Sequence, residues 1–302
     1  MSDARILPVA GQVRAGRRAT PWYSTNAFRR LIHHAIVYVL LCAGAVLFIA
    51  PFLWMVTTSL KEPQNLFSIP PQWIPNPARP ANYPEAWSVL PFTRFLRNTL
   101  IITLHNVVAM TLSSSLVAYS FGRLRARLRD ALFLLVLATM MVPYEVTMVP
   151  VFVLWSKLKL TNTFIPLMLG AWFGSPYYIF LLRQFFMTIP YELDDAARID
   201  GCTNWGIFGR IIMPLSKPAL AAVAIFTFVG NWNDFLGPLI YLNSMDRYTL
   251  AVGLNMMRNQ QYGTRIDYLM AVSTLTVLPV LALYFSAQKY FIQGVTLTGI
   301  KG

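Results

Sequence analysis

The chain has 302 residues, 56% of them hydrophobic and only 12% charged, about half the charged share of a soluble domain. That deficit places it in a membrane. The formal charge of +13 is spread between apolar runs, as on a membrane protein whose basic loops set its orientation and touch anionic lipid, and this argues against nucleic acid as a partner.

In chain order, residues 1–30 are polar, basic and without periodicity, which reads as a disordered tail. Six segments then reach the roughly 20 apolar residues that a bilayer-spanning helix needs. They run over 35–59, 99–121, 131–155, 161–182, 218–245 and 268–288. The first is too long for a signal-peptide core and lacks a small-residue cleavage site. The third carries Glu145 and is interrupted by Pro143 and Pro150, which kink or break a helix. The connection 60–97 is rich in proline and aromatics, including Pro70-Pro71-Gln72-Trp73-Ile74-Pro75-Asn76-Pro77, and reads as an ordered, extended loop more than a helix. With the N-terminus inside, the inside segments hold 16 Lys and Arg and the outside segments 9. Arg123, Arg125, Arg127 and Arg129 are the clearest anchor. Both termini and the 183–217 connection are therefore expected on the cytoplasmic side. Cys42 and Cys202 have no metal-site spacing, and a disulfide between a span and a loop is not expected.

The 183–217 connection holds four of the twelve acidic residues: Glu192, Asp194, Asp195 and Asp200. Pro190 suits a first helical turn, and the carboxylates that follow complement the helix dipole. Gly201 can end this helix as a left-handed cap. Thr203 can cap a second helix, Asn204 to Met213, stopped by Pro214, and Ser216 and Pro218 open the fifth span. Ala197 and Gly201, four apart, share a face on which another backbone can approach closely. Such a helix can lie in a partner's groove with its carboxylates against basic residues at the rim. The alternative is an amphipathic helix resting on the membrane surface, where carboxylates meet an anionic leaflet badly.

This segment resembles the EAA loop of ABC importer permeases, which reads Glu-Ala-Ala, three residues, Gly, nine residues, Ile, one residue, Leu-Pro. Here it is Asp195-Ala196-Ala197, Gly201, Ile211 and Met213-Pro214. Asp replaces Glu and Met replaces Leu; the shorter Asp195 weakens a rim contact, with Glu192 nearby. Glu192-Leu193, Ile199-Asp200-Gly201, Asn82-Tyr83, Ala86-Trp87, Asn231-Trp232-Asn233-Asp234-Phe235 and the ending Gln293-Gly294 to Lys301-Gly302 look like the carbohydrate-uptake branch, nearest its smaller, maltose-permease-like subunit. The likeness covers nearly the whole chain beyond the first 30 residues. It implies an all-α membrane protein of six transmembrane helices with the type I ABC importer permease fold. A first helix and Pro/Trp-rich external loop would occupy 31–93, the core transmembrane domain 94–290, and a cytoplasmic tail 291–302. The coupling loop is 189–214, with Glu192, Asp194, Asp195, Ala196, Ala197, Gly201, Ile211 and Pro214 as its coupling residues. Implied partners are a homologous second permease, two ATPase chains, an extracytoplasmic solute-binding protein, membrane lipid and a sugar or polyol. The location implied is the prokaryotic cytoplasmic (inner) membrane. The 302 residues contain no Gly-x-x-x-x-Gly-Lys-Ser/Thr, so no ATP-cradling loop is expected here. ATP and Mg would belong to the partner ATPases, and the chain itself would be a transport subunit with no cofactor and no catalytic residue.

Ionisable groups within spans are costly and face a cavity or a partner. Asn231 and Asp234 are three apart on one face and can border the substrate path, or they can satisfy backbone freed near Gly230 and Gly237 as a hinge. Glu145 can line the path or reach the interface. Trp172, Tyr177 and Tyr178 are candidate sugar-stacking residues, although aromatics in spans more often pack or anchor. An intramembrane enzyme would need clustered acids, a nucleophile with a base, or metal ligands; His33 and His34 precede the first span and His105 stands alone in the second. A secondary transporter would show paired broken helices in repeated halves, against which the lopsided acidic loop argues. A non-sugar solute such as glycerol phosphate is the alternative cargo within the same class.

Overall fold

A computed structural model describes residues 26–258 and 265–299, with side chains over 30–258 and 265–288. Most of the expected basic tail, and the last three residues of the expected C-terminal tail, lie outside the described residues. The chain divides into two compact units, residues 1–54 and 55–302. The first unit contributes most of helix α1, Asn26–Ser59, which continues through Pro51.

The second unit is all helix and connection among the described residues. Its central element is α3, Phe92–Arg123, which begins seven residues before the expected second span. Two helices lie along it, α7 (Pro176–Thr188) and α11 (Lys217–Trp232), and α14 (Ile266–Gly299) lies along α11. The sequence of α3 explains this position. Asn98, Thr103, Asn106, Ser114, Ser115, Ala118 and Gly122 are buried, and small or hydrogen-bonding residues are what membrane helices place at close contacts. Ile101, Leu104, Val108, Leu112 and Leu116 form an exposed apolar stripe on α3.

Among the described residues, four helices are long and apolar enough to cross a membrane: Arg30–Ser59, Phe92–Arg123, Ile165–Thr188 and Ile266–Gln288. Two bent pairs raise the number to six. The third expected span is one of them. It breaks into α4 (Arg129–Ala138, with one tighter turn to Met141) and α5 (Tyr144–Lys157), bent by 93°. Val142 is extended, as the residue before Pro143 must be, whereas Pro150 sits inside α5 without ending it. The fourth span is likewise discontinuous. The short helix α6, Ile165–Met168, runs into a tight turn at Leu169–Phe173, and the chain then breaks at Gly174 (φ +74°) before α7. The fifth stops after α11 and resumes as α12, Leu236–Tyr241. At 16 residues α11 is about 24 Å long, shorter than the expected 218–245.

The connection 60–97 is corrected in its second half. Residues 66–81 are irregular, as expected, but α2 (Asn82–Val89) and the first turns of α3 are helical. Asn82, wholly buried, donates to the carbonyls of Ser59 (2.9 Å) and Lys61 (2.8 Å), satisfying acceptors left free where α1 ends. Apolar packing gathers at two ends. One core joins Ala118, Tyr119, Leu182, Phe186, Ile207, Ile212 and Val223. The other joins Ala86, Phe92, Phe95, Trp232, Leu250 and Val272.

Candidate functional site

The acidic connection folds as two short helices in series. The first, α8, is Glu192–Ile199. Gly201 takes φ +80°, the left-handed conformation that favours glycine. Thr203 then accepts the Gly206 N–H at 3.3 Å and caps α9, Asn204–Ile207. The expected stop at Pro214 is corrected. A wide π turn at Phe208–Ile212 leads into α10, Met213–Leu215, which contains Pro214. The proline ring would collide with the carbonyl four residues back. That carbonyl belongs to Arg210, inside the widened turn. The helical direction changes only at Ser216, where 204–215 and 217–232 meet at 79°.

The faces of α8 have separate roles. Asp194 and Ala197, three apart, point inward and are 2% and 7% exposed. Asp194 does not sit at a rim, as the sequence led one to expect; it is ion-paired with Arg123, the last residue of α3. Arg123 Nη2 and Nε donate to the two carboxylate oxygens at 2.7 and 3.0 Å, and the two side chains are 0% and 3% exposed. The other Arg123 donors reach the carbonyls of Phe186, Ile189 and Pro190 at 3.3, 2.6 and 3.1 Å. The guanidinium lies 4.1 Å from the Tyr191 ring centroid, and the Tyr191 hydroxyl donates to Gly122 O at 2.8 Å. Every N–H of Arg123 is therefore used, the condition under which a burial this costly is tolerated. Ala197 packs into its own chain's core with Ile207 and Ile212, so it offers no free surface.

Glu192, Asp195, Ala196, Gly201 and Pro214 are exposed, and Ile211 is half-buried. Ile199 and Trp205, neither of them among the expected coupling residues, are 87% and 70% exposed on the same two-helix segment. A side chain added at Gly201 or Gly209 would meet nothing within 4 Å. The outward surface is thus acidic, apolar and open.

The expected path residues fall around the breaks in the spans. Asn231, at the end of α11, donates to Thr227 O (2.8 Å) and accepts from Asn106 of α3 (2.5 Å). Asn106 also donates to Leu167 O in the broken fourth span (2.8 Å). His105 Nδ1 lies 3.1 Å from Asn106 Oδ1, and the Trp172 indole lies 3.1 Å from His105 Nε2. An indole N–H can only donate, so this geometry assigns His105 as the neutral tautomer with its proton on Nδ1. Trp172 and Asn231 are thereby joined through two residues of α3 that were not among the candidates. Ser113 donates to Ala171 O (2.8 Å) and Ser114 accepts the Ser175 N–H (3.2 Å). One polar face of α3 thus satisfies the freed backbone of the fourth span.

Asp234 accepts the Gly237 N–H at 3.2 Å and so holds the first turn of α12. A Cβ at Gly237 would stand 2.6 Å from Asp234 Oδ2, so any other residue there would displace the carboxylate from this position. Tyr144, beside the exposed Glu145, is within electrostatic range of Asp234. Tyr177 is half-exposed against Tyr178.

Residues 114–297 match the family described as "Binding-protein-dependent transport system inner membrane component". The chain belongs to that family of multi-pass inner-membrane permeases. It is 43% identical over 205 residues to the arabinooligosaccharides transport system permease protein AraQ of Halalkalibacterium halodurans, covering 68% of this chain and 73% of the relative. It is 32% identical over 272 residues to the lactose transport system permease protein LacG of Rhizobium radiobacter, covering 89% and 97%. A chain from the crystal structure of a bacterial ABC transporter involved in import of the acidic polysaccharide alginate superposes with a TM-score of 0.79, at 22% identity, over 90% of this chain and all of that one. At that identity the likeness is one of fold, and the fold is that of an ABC importer permease.

Proposed function

We propose that this chain is one half of the translocation path of an ATP-driven importer of a saccharide or related polyol, and that residues 189–214 couple it to an ATPase. The observation that carries the reading is the two-helix segment that is rooted inward by Arg123–Asp194 and open outward at Asp195, Ile199, Gly201 and Trp205. A rigid element fixed to α3 and leading into α11 can pass the motion of a partner into the bundle. The basic bias supports a cytoplasmic position for this segment, where ATP and Mg would be held by two partner ATPase chains. A homologous second permease would complete the path, and a solute-binding protein would deliver cargo from outside. The saccharide assignment draws on the relatives named for arabinooligosaccharides and lactose.

Gly201→Asp tests the coupling. No described residue lies within 4 Å of a Cβ added there, and Asp tolerates the left-handed region better than most residues, so the cost to the fold is about 1 kcal/mol. The variant should insert and assemble with its partner permease but lose uptake, with ATP hydrolysis no longer tied to transport. Normal uptake at normal coupling would remove the proposal.

A further inference from the structure

Beside the break after α11 lies an open cleft of about 400 Å³ that the candidate residues do not include, a size within the ~300–1,000 Å³ range of small-molecule sites. It is built by two anchored helices. On α13, Leu250–Arg258, the face of Leu250, Gly253 and Met257 is buried. Gly253 lies so close to α3 that a Cβ there would stand 2.4 Å from a ring carbon of Phe95. That anchoring turns Leu254, Asn255 and Arg258 into the cleft, where they face Met270 and Ser273 of α14 and Phe235 from the break itself.

We infer that this cleft is a saccharide subsite of the translocation path, an assignment that rests on the importer reading above. Its chemistry is that of a sugar site. The Phe235 ring offers an apolar platform for the C–H face of a pyranose or furanose ring. An amide, a hydroxyl and a guanidinium converge on the same space, and no hydrogen bond joins any of these three side chains to another described residue. Among the described residues their capacity is unspent, and hydroxyl groups of a sugar match it. The location fits as well: Phe235 follows Asp234 in a discontinuous span, where transporters place substrate and irregular backbone together.

The test uses the assembled importer, with both permeases, ATPases and binding protein in proteoliposomes, supplied with arabinotriose and with lactose. Asn255→Leu should lower uptake of the transported sugar at least tenfold while ATP hydrolysis stimulated by loaded binding protein stays within twofold. Uptake by Asn255→Leu at the wild-type rate would overturn the subsite. In a Cys42→Ala/Cys202→Ser background, Ser273→Cys should react with a methanethiosulfonate reagent and be protected at least threefold by the sugar during turnover. Equal labelling with and without sugar would overturn the subsite even if Asn255→Leu failed to assemble. Wild-type complex that takes up neither sugar would instead overturn the saccharide reading on which the subsite rests.

Discussion

Removing the Asp194 carboxylate is the sharpest perturbation of the coupling segment. Asp194→Ala leaves Arg123, whose side chain is 0% exposed, with its three backbone acceptors but strips the one carboxylate bonded to it among the described residues. Breaking a buried pair by removing one partner costs about 3–5 kcal/mol, because the remaining charge is uncompensated. Arg123→Leu should be at least as harmful, since it also orphans the buried carbonyls of Phe186 and Ile189 at about 1–3 kcal/mol each. Arg123→Lys should fall between, because a point charge with three donors cannot reproduce a planar fork that serves five acceptors. The assay has two arms. Unfolding by sodium dodecyl sulfate in mixed micelles reads stability, and proteoliposome uptake per ATP hydrolysed reads coupling. Asp194→Ala should unfold at markedly lower detergent fraction, and whatever complex survives should hydrolyse ATP with less uptake per turnover. An Asp194→Ala protein with the wild-type unfolding midpoint and the wild-type ratio would refute the idea that this pair roots the segment.

Asp234→Asn keeps an acceptor for the Gly237 N–H and should assemble in wild-type amounts, whereas Asp234→Leu should lose about 0.5–2 kcal/mol with that bond, seen as less assembled complex on size-exclusion chromatography. Equal assembly of both would show that the carboxylate does not hold α12. Glu85 ties α2 to α14: it accepts the Tyr268 hydroxyl at 2.6 Å and pairs with Arg79 at 3.0 Å. The Tyr268 bond, with Arg79 adding to it against partial desolvation, holds this carboxyl below its usual value of about 4.5. A depressed folded-state value means that the contribution is full above pH 4.5 and fades as pH falls through the lower folded value. Wild-type melting temperature should therefore drop below about pH 4.5 more steeply than that of Glu85→Gln, and parallel profiles would count against the tie.

Spans and caps were legible in the sequence because both are local. A run of about 20 apolar residues declares a crossing, and the Gly201 turn and Thr203 cap need only the residues beside them. Where spans break was half legible: Pro143 marks the bend it makes, while Gly174 lies in a stretch whose free backbone is satisfied by Ser113 and Ser114, about 60 residues away. Such pairings carry no signal in the fourth span itself. Periodicity does not help either, since lipid-facing and helix-facing residues are both apolar. The available signal was on the other partner, in the polar residues Asn98, Thr103, Asn106, Ser113 and Ser114 of α3.

Arg123 was hidden for a different reason. Among four arginines at alternate positions it looks like one more orientation anchor, yet it alone of the four is the terminal residue of α3 and buried. Its partner, Asp194, was equally hidden among carboxylates that seem to serve one rim. Helical geometry separates them. Asp194 and Ala197 lie on the face turned to α3 and α7, and Asp195 and Ile199 lie on the other. The left-handed Gly201 ends the helix before the face of Ala197 can extend to it. The motif that reads as one docking surface in sequence is therefore two half-surfaces in space. The inward half holds the segment to the bundle, and only the outward half is left for a partner, which is why losing Asp194 should impair coupling without touching the docking face.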